Sequence, residues 1–154
     1  MNDEIEVYVR FSETDMLGHV NNTSYFLYFE EARTKFFKKV HPNRDSSFGF
    51  ILASIKCDFL KQAYGDESLK ISTNISKIGT KSFHMQHILV NNQDEKIAQA
   101  SAVIVCFNYE EQQSVAIPAQ LRENLEAWLA SKVRCSKEGN NASRNDSSTS
   151  WRSD

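Results

Sequence analysis

The sequence predicts an α+β domain in which one long helix packs against a curved, five-stranded antiparallel sheet, with a short helix near the C-terminus. Two observations predict it. One long segment repeats its apolar residues at helical spacing, while five others alternate apolar and polar residues with the period of two that belongs to strands. Their order supplies a third: strand, long helix, four strands, short helix, so the helix has one sheet face on which to bury its aromatic stripe.

The first strand spans Glu4 to Phe11, with Ile5, Val7, Val9 and Phe11 set against Glu6, Tyr8 and Arg10. From Asn22 to Val40 the period changes, because Tyr25, Phe29, Ala32, Phe36 and Val40 recur at steps of four and three, flanked by Phe26, Arg33 and Phe37. An asparagine at 21 or 22 is the expected N-cap, Lys38 and Lys39 suit the last turn, and Pro42 closes the segment.

Four strands follow. Ile51 to Phe59 and Leu69 to Ile75 alternate cleanly, as do Phe83, Met85, His87 and Leu89. Lys96 to Asn108 is apolar enough to predict a central strand buried on both faces. Turns are expected at Gly79-Thr80-Lys81 and at Asn91-Asn92-Gln93-Asp94, making these strands antiparallel neighbours. A second helix after Pro118 is predicted from Leu121, Leu125, Trp128, Leu129 and Val133.

Composition narrows the functional classes. The 154 residues are enough for one domain, at 40% hydrophobic and 25% charged, with a net charge of -2 and no basic stripe to track a nucleic-acid backbone. No window approaches the roughly 18 apolar residues of a membrane span, and the N-terminus has no secretory pattern, so a cytoplasmic location is expected. Cys57, Cys106 and Cys135 are too widely separated for a zinc or redox motif, and Cys57 and Cys106 are predicted as small core residues. Metal binding and a cofactor are not expected: His84 and His87, three apart on a strand, face opposite ways. The domain is predicted to cover residues 1–134, and 135–154, rich in Ser and Asn, to form a disordered polar tail containing Trp151. A free sheet edge and an apolar central strand predict a homo-oligomer.

The stretch VRFSETDMLGHVNNTSYFLYFEEAR, Val9 to Arg33, resembles the opening of the hotdog-fold acyl-CoA thioesterases of the 4-hydroxybenzoyl-CoA thioesterase type. In that family a first strand leads to Thr-Asp, a Gly-His-Val-Asn-Asn-like loop, and a helix with Tyr, Phe and Glu-x-x-Arg. Cys57 to Leu89 is similar at lower specificity, including Gly65-Asp66; Gln62-Ala63 stand where many relatives have proline. The resemblance implies the hotdog fold, an acyl-CoA substrate, and an assembly of dimers into a tetramer.

Thioester hydrolysis needs an attacking oxygen, a dipole for the developing oxyanion and a slot that holds the carbonyl against both. By resemblance Asp15 is the nucleophile or the base that activates water, and the start of the following helix polarises the carbonyl. Spacing alone favours a plainer role for Asp15, as a turn or capping residue. His19 either orients Asp15 or the thioester, or bonds backbone in the loop; Asn22 either holds water or caps the helix. Gly18 allows close approach to the ligand, while Tyr25 and Phe26 either pack or wall the acyl slot. The family meets coenzyme A phosphates near the turn that matches Lys77, Thr80, Lys81 and Ser82. Glu30 and Glu31 lie more than two turns along the helix, as ordinary pairs with Arg33 and Lys35. Two other activities fit the same fold: an acyl-CoA hydratase or dehydratase pairing Asp15 with His19, and a non-catalytic acyl-CoA-binding module.

Overall fold

The computed structural model describes residues 1–43 and 45–130. The expected tail at 135–154, its Trp151, the domain end at 134, and Val133 and Cys135 lie outside the described residues. The elements are β1 (Asp3–Tyr8), α1 (Asn22–Val40), β2 (Phe48–Phe59), β3 (Ser68–Ile78), β4 (Ser82–Val90), β5 (Lys96–Asn108), β6 (Gln113–Ser114) and α2 (Ala119–Glu126). All strand pairs are antiparallel, in the order β1-β3-β4-β5-β2, with the two-residue β6 hydrogen-bonded to β5. This is the fold expected of the hotdog thioesterases, with a small sixth strand added.

α1 occupies the residues its periodicity predicts. Tyr25, Phe29, Ala32, Phe36 and Val40 are all buried, and so are Tyr28 and Arg33, which widen the stripe. The first half of the helix packs with Val7, Leu69, Ile71 and Leu89; the second half, from Phe36, packs with Ile75, Phe83, Met85 and the α2 residues Leu121 and Leu125. Each large side chain buried this way contributes about 1.5–3 kcal/mol, which is what fixes the helix against the sheet.

Five expectations change. α2 ends at Glu126, so Trp128 and Leu129 of its predicted stripe lie past its end, Leu129 bridging to Ile75 instead. β1 ends at Tyr8, and Phe11, expected to face inward, is 92% exposed at the start of a 3-10 turn over Phe11–Glu13. β5 is not buried on both faces: its inward residues alternate with exposed Gln99 and Ser101, because α1 covers only one side of the sheet. Arg33 turns into the core instead of pairing with Glu30 on the surface, whereas Glu31 and Lys35 do pair, at 2.8 Å. Cys106 is buried, but Cys57 on the edge strand is only partly covered. No described helix is long and apolar enough to cross a membrane.

Three register shifts interrupt the pairing among the described residues, at Leu52/Ser54 in β2, at Ile75/Lys77 in β3 and at Leu89/Val90 between β4 and β5, and such insertions bend a strand and increase its twist. The sheet curves around α1 accordingly. One end of it gathers Tyr8, Phe59, Ser68, Val90 and the start of α1; the other gathers Phe48, the β3–β4 turn and the end of α1.

Candidate active site

The loop from Asp15 to Asn21 lies at the first of those ends, and its own hydrogen bonds shape it. The Asp15 N–H donates to the His19 carbonyl at 2.7 Å and the Gly18 N–H to the Asp15 carbonyl at 3.1 Å. Gly18 has φ +78°, a conformation that carries no penalty in a residue without Cβ. The amides of Leu17 and His19 both donate to Asp15 Oδ1, at 2.8 and 3.1 Å. One carboxylate oxygen is therefore held in place, while Oδ2 has no hydrogen-bond partner among the described residues.

A second segment braces the loop. The Val20 N–H donates to Ala63 O at 2.8 Å, the Gly65 N–H to Gly18 O at 3.2 Å, and the His19 ring meets Tyr64 edge-on at 5.1 Å. The approach is close: a Cβ on Gly65 would sit 3.1 Å from the Thr14 methyl, which would have to shift by a few tenths of an ångström. Gln62-Ala63 accordingly builds a well-bonded loop without proline, with Ala63 wholly buried.

At the helix start, Asn21 is the cap: its backbone is extended and its Oδ1 accepts from the Thr23 amide at 3.2 Å. Asn22 is the first helical residue and does not cap. The Asn21 amide donates to Glu13 O and the Ser24 amide to Asn21 O, both at 2.9 Å. The Asn22 amide is left without a protein acceptor among the described residues, at the positive end of a 19-residue helix.

Asp15, His19, Asn22 and Tyr25 line one cavity of about 730 Å³. Gly18 lies beside it, on a groove on the other side of Asp15. Tyr25 is buried and tilted against Phe59 at 5.2 Å, and burial raises its pKa above the ordinary phenol value. Phe26 stands behind, edge-on to Phe59 at 6.4 Å, and does not line the cavity.

Phe59, Leu60, Lys61 and Gln62 complete the wall, and sequence reasoning did not single them out for the site. The available signal was two consecutive apolar residues, Phe59-Leu60, where strand alternation ends; both are about half exposed beside the cavity. Lys61 is paired with Glu95.

Lys77, Thr80, Lys81 and Ser82 stand elsewhere. They belong to the β3–β4 turn, separated from the Asp15 end by the 11 residues of β3, roughly 33 Å of strand. There the carbonyls of Thr80 and Lys81 accept from Ile117 and Cys106, both at 2.9 Å. One chain alone does not bring this turn to Asp15. His84 and His87 do diverge: His87 is wholly buried, stacked on Phe29 and bonded through Nδ1 to Thr73 Oγ1 at 2.8 Å. The described residues contain no group of three or more His, Cys, Asp or Glu able to hold a metal ion.

Comparisons with known proteins bear on the family and the fold. Residues 9–125 match the model of the thioesterase-like superfamily. The protein YsmA of Bacillus subtilis (strain 168) is 35% identical over 78% of this chain and 82% of its own. The long-chain acyl-CoA thioesterase FadM of Escherichia coli (strain K12) is 25% identical over 82% of this chain and 98% of its own. Among solved structures, a predicted thioesterase from Bacillus stearothermophilus superposes with a TM-score of 0.79 at 26% identity, covering 84% of this chain and 98% of that one.

Proposed function

The chain belongs to the thioesterase-like superfamily, and we propose that it hydrolyses an acyl-CoA thioester to the free acid and coenzyme A. One observation supports this reading: Asp15, whose Oδ2 has no partner among the described residues, and Asn22, whose amide stands at the open start of α1, line the same cavity. The names of FadM and its relatives as acyl-CoA thioesterases support the substrate class.

In the proposed mechanism the thioester carbonyl accepts a hydrogen bond from the Asn22 amide. The positive end of α1 then stabilises the oxyanion as it develops. Asp15 takes a proton from water, whose oxygen attacks the carbonyl carbon; collapse of the tetrahedral intermediate breaks the C–S bond, and the thiolate leaves and recovers that proton. In the nucleophilic variant Asp15 Oδ2 attacks directly, and water hydrolyses the resulting anhydride. A thiolate leaves readily, so neither route needs a strong acid. His19, its ring against Tyr64, acts through the position of the loop, and its amide helps hold Asp15 Oδ1.

We further propose that the working unit is a homo-oligomer, a dimer that pairs again into a tetramer. Among the described residues β2 is hydrogen-bonded on one side only, by β5, and leaves a 12-residue edge with Leu52 exposed. Two such edges related by a two-fold axis run antiparallel, which carries the β3–β4 turn of one copy toward the Asp15 cavity of the other. Lys77, Thr80, Lys81 and Ser82 of the partner subunit would then meet the coenzyme A phosphates. Cys57 and Cys106, both unpaired, suit a reducing cytoplasm.

The test is release of free thiol from a panel of acyl-CoAs by the native protein and by Asp15→Asn. Thiol release that Asp15→Asn abolishes supports the assignment; equal rates remove Asp15 from the mechanism. Tight coenzyme A binding with no thiol from any substrate leaves a binding module instead.

A further inference from the structure

Asp15 lines two concavities. Besides the cavity at the helix start, it borders a groove of about 750 Å³ on the outer side of its loop, walled by Tyr8, Phe11, Met16, Tyr64 and Asp66. The edge-on contact between His19, which lines the first, and Tyr64, which lines the second, forms part of the partition. Phe11 is 92% exposed and Met16 fully so, an arrangement in which large apolar side chains flank an open groove.

The charges lining the groove decide which half of a thioester fits it. Among the described residues Asp15 and Asp66 are its only carboxylates, Tyr8 Oη donates to Asp66 Oδ1, and no lysine or arginine lines it. Phosphates are repelled there, while an alkyl chain can lie on the aromatic and thioether surfaces. Asp15 lines both the groove and the cavity that Asn22 borders, so a thioester carbon attacked from Asp15 would lie next to the groove.

We propose that this outer groove receives the acyl chain, so that the substrate crosses the Asp15 loop with its carbonyl on the helix side and its chain on Tyr8, Phe11, Met16 and Tyr64. The inference rests on the acyl-CoA thioesterase reading and adds the residues that select chain length. The groove is open, so each methylene is about half buried, and each added methylene then raises kcat/KM about twofold.

Two measurements test it. The first compares kcat/KM for butyryl-, hexanoyl-, octanoyl- and decanoyl-CoA between the native protein and Phe11→Ser/Met16→Ser, with molar mass followed by light scattering. The expected result is a steep rise with chain length in the native protein, on the order of 60-fold from butyryl to decanoyl, that flattens below about fivefold in the variant at unchanged mass. An equal slope in both proteins overturns the proposal, and a fall in mass shows that the groove is covered by a second copy instead. The second uses a non-hydrolysable decanoyl-CoA thioether with a terminal diazirine, which reports on binding alone. Labelling of Phe11, Met16 or Tyr64 supports the groove, whereas labelling confined to Phe59 and Leu60 places the chain on the helix side and overturns it. Absence of thiol release from every native substrate would overturn the parent activity, a result distinct from an altered slope.

Discussion

At Asp15 the two carboxylate oxygens have different duties: Oδ1 is held by two loop amides and Oδ2 is free. An asparagine keeps an Oδ1 acceptor for both amides while losing the negative oxygen, so Asp15→Asn should fold normally and lose about 10²–10⁴ in kcat. Solvent ¹⁸O appearing in the Asp15 side chain after turnover would mark the nucleophilic route, with water opening the anhydride at the Asp15 carbon. His87 offers a separate prediction. Burial, assisted by the charge of Arg33, pushes its pKa down to about 3 from 6.5, so the folded protein keeps it neutral. Between those values the unfolded chain binds a proton that the folded one does not. The associated stability is full above about pH 6.5 and is lost as pH falls toward 3. Chemical denaturation of native protein and His87→Gln across that range should show the native curve falling more steeply, by at most about 1.4 kcal/mol per pH unit.

At the scale of elements, the helix was legible residue by residue and the strand ends were not. α1 announces itself because apolar side chains at steps of three and four have one direction in which to be buried, and Asn22 and Val40 bound it as expected. β1 stops earlier than its alternation because Arg10 and Glu13 close a 3-10 turn, with Glu13 Oε1 accepting from the Arg10 amide at 2.8 Å. A local side-chain bond there wins over a weak pattern. The same competition separated the two asparagines that spacing left equivalent. Asn21→Ala should therefore lower stability by about 1 kcal/mol, while Asn22→Ala should leave it within about 0.5 kcal/mol. Paired urea titrations decide this, and a larger loss at Asn22 would reverse the capping assignment.

At the scale of the molecule, the proposed pairing of β2 edges would join architecture to activity. In the proposed edge-paired dimer, a glutamate at Leu52, exposed in the single chain, would put a negative charge from each copy into the seam and weaken it. Leu52→Glu should accordingly give a smaller species by light scattering with an unchanged circular dichroism spectrum. It should also lose thiol release, because the turn bearing Lys77 and Lys81 no longer reaches the second site. A variant of reduced mass with undiminished activity would show that each chain carries a complete site.

The sequence by itself determined the elements that repeat a pattern: α1, five strands and their turns, the start of α2 though not its end, and the loop with Asp15, Gly18 and His19 ahead of a capped helix. Those features are local, set by period and by hydrogen bonds between residues a few positions apart. Tertiary structure alone decided that β2 crosses to the far edge beside β5, that Phe59 to Gln62 wall the Asp15 cavity, and that the Lys77–Ser82 turn lies at the opposite end of the sheet. Such placements depend on which surfaces pack after the chain has folded back across scores of residues. No local period encodes that closure, because it is fixed by the shape of the sheet around its helix.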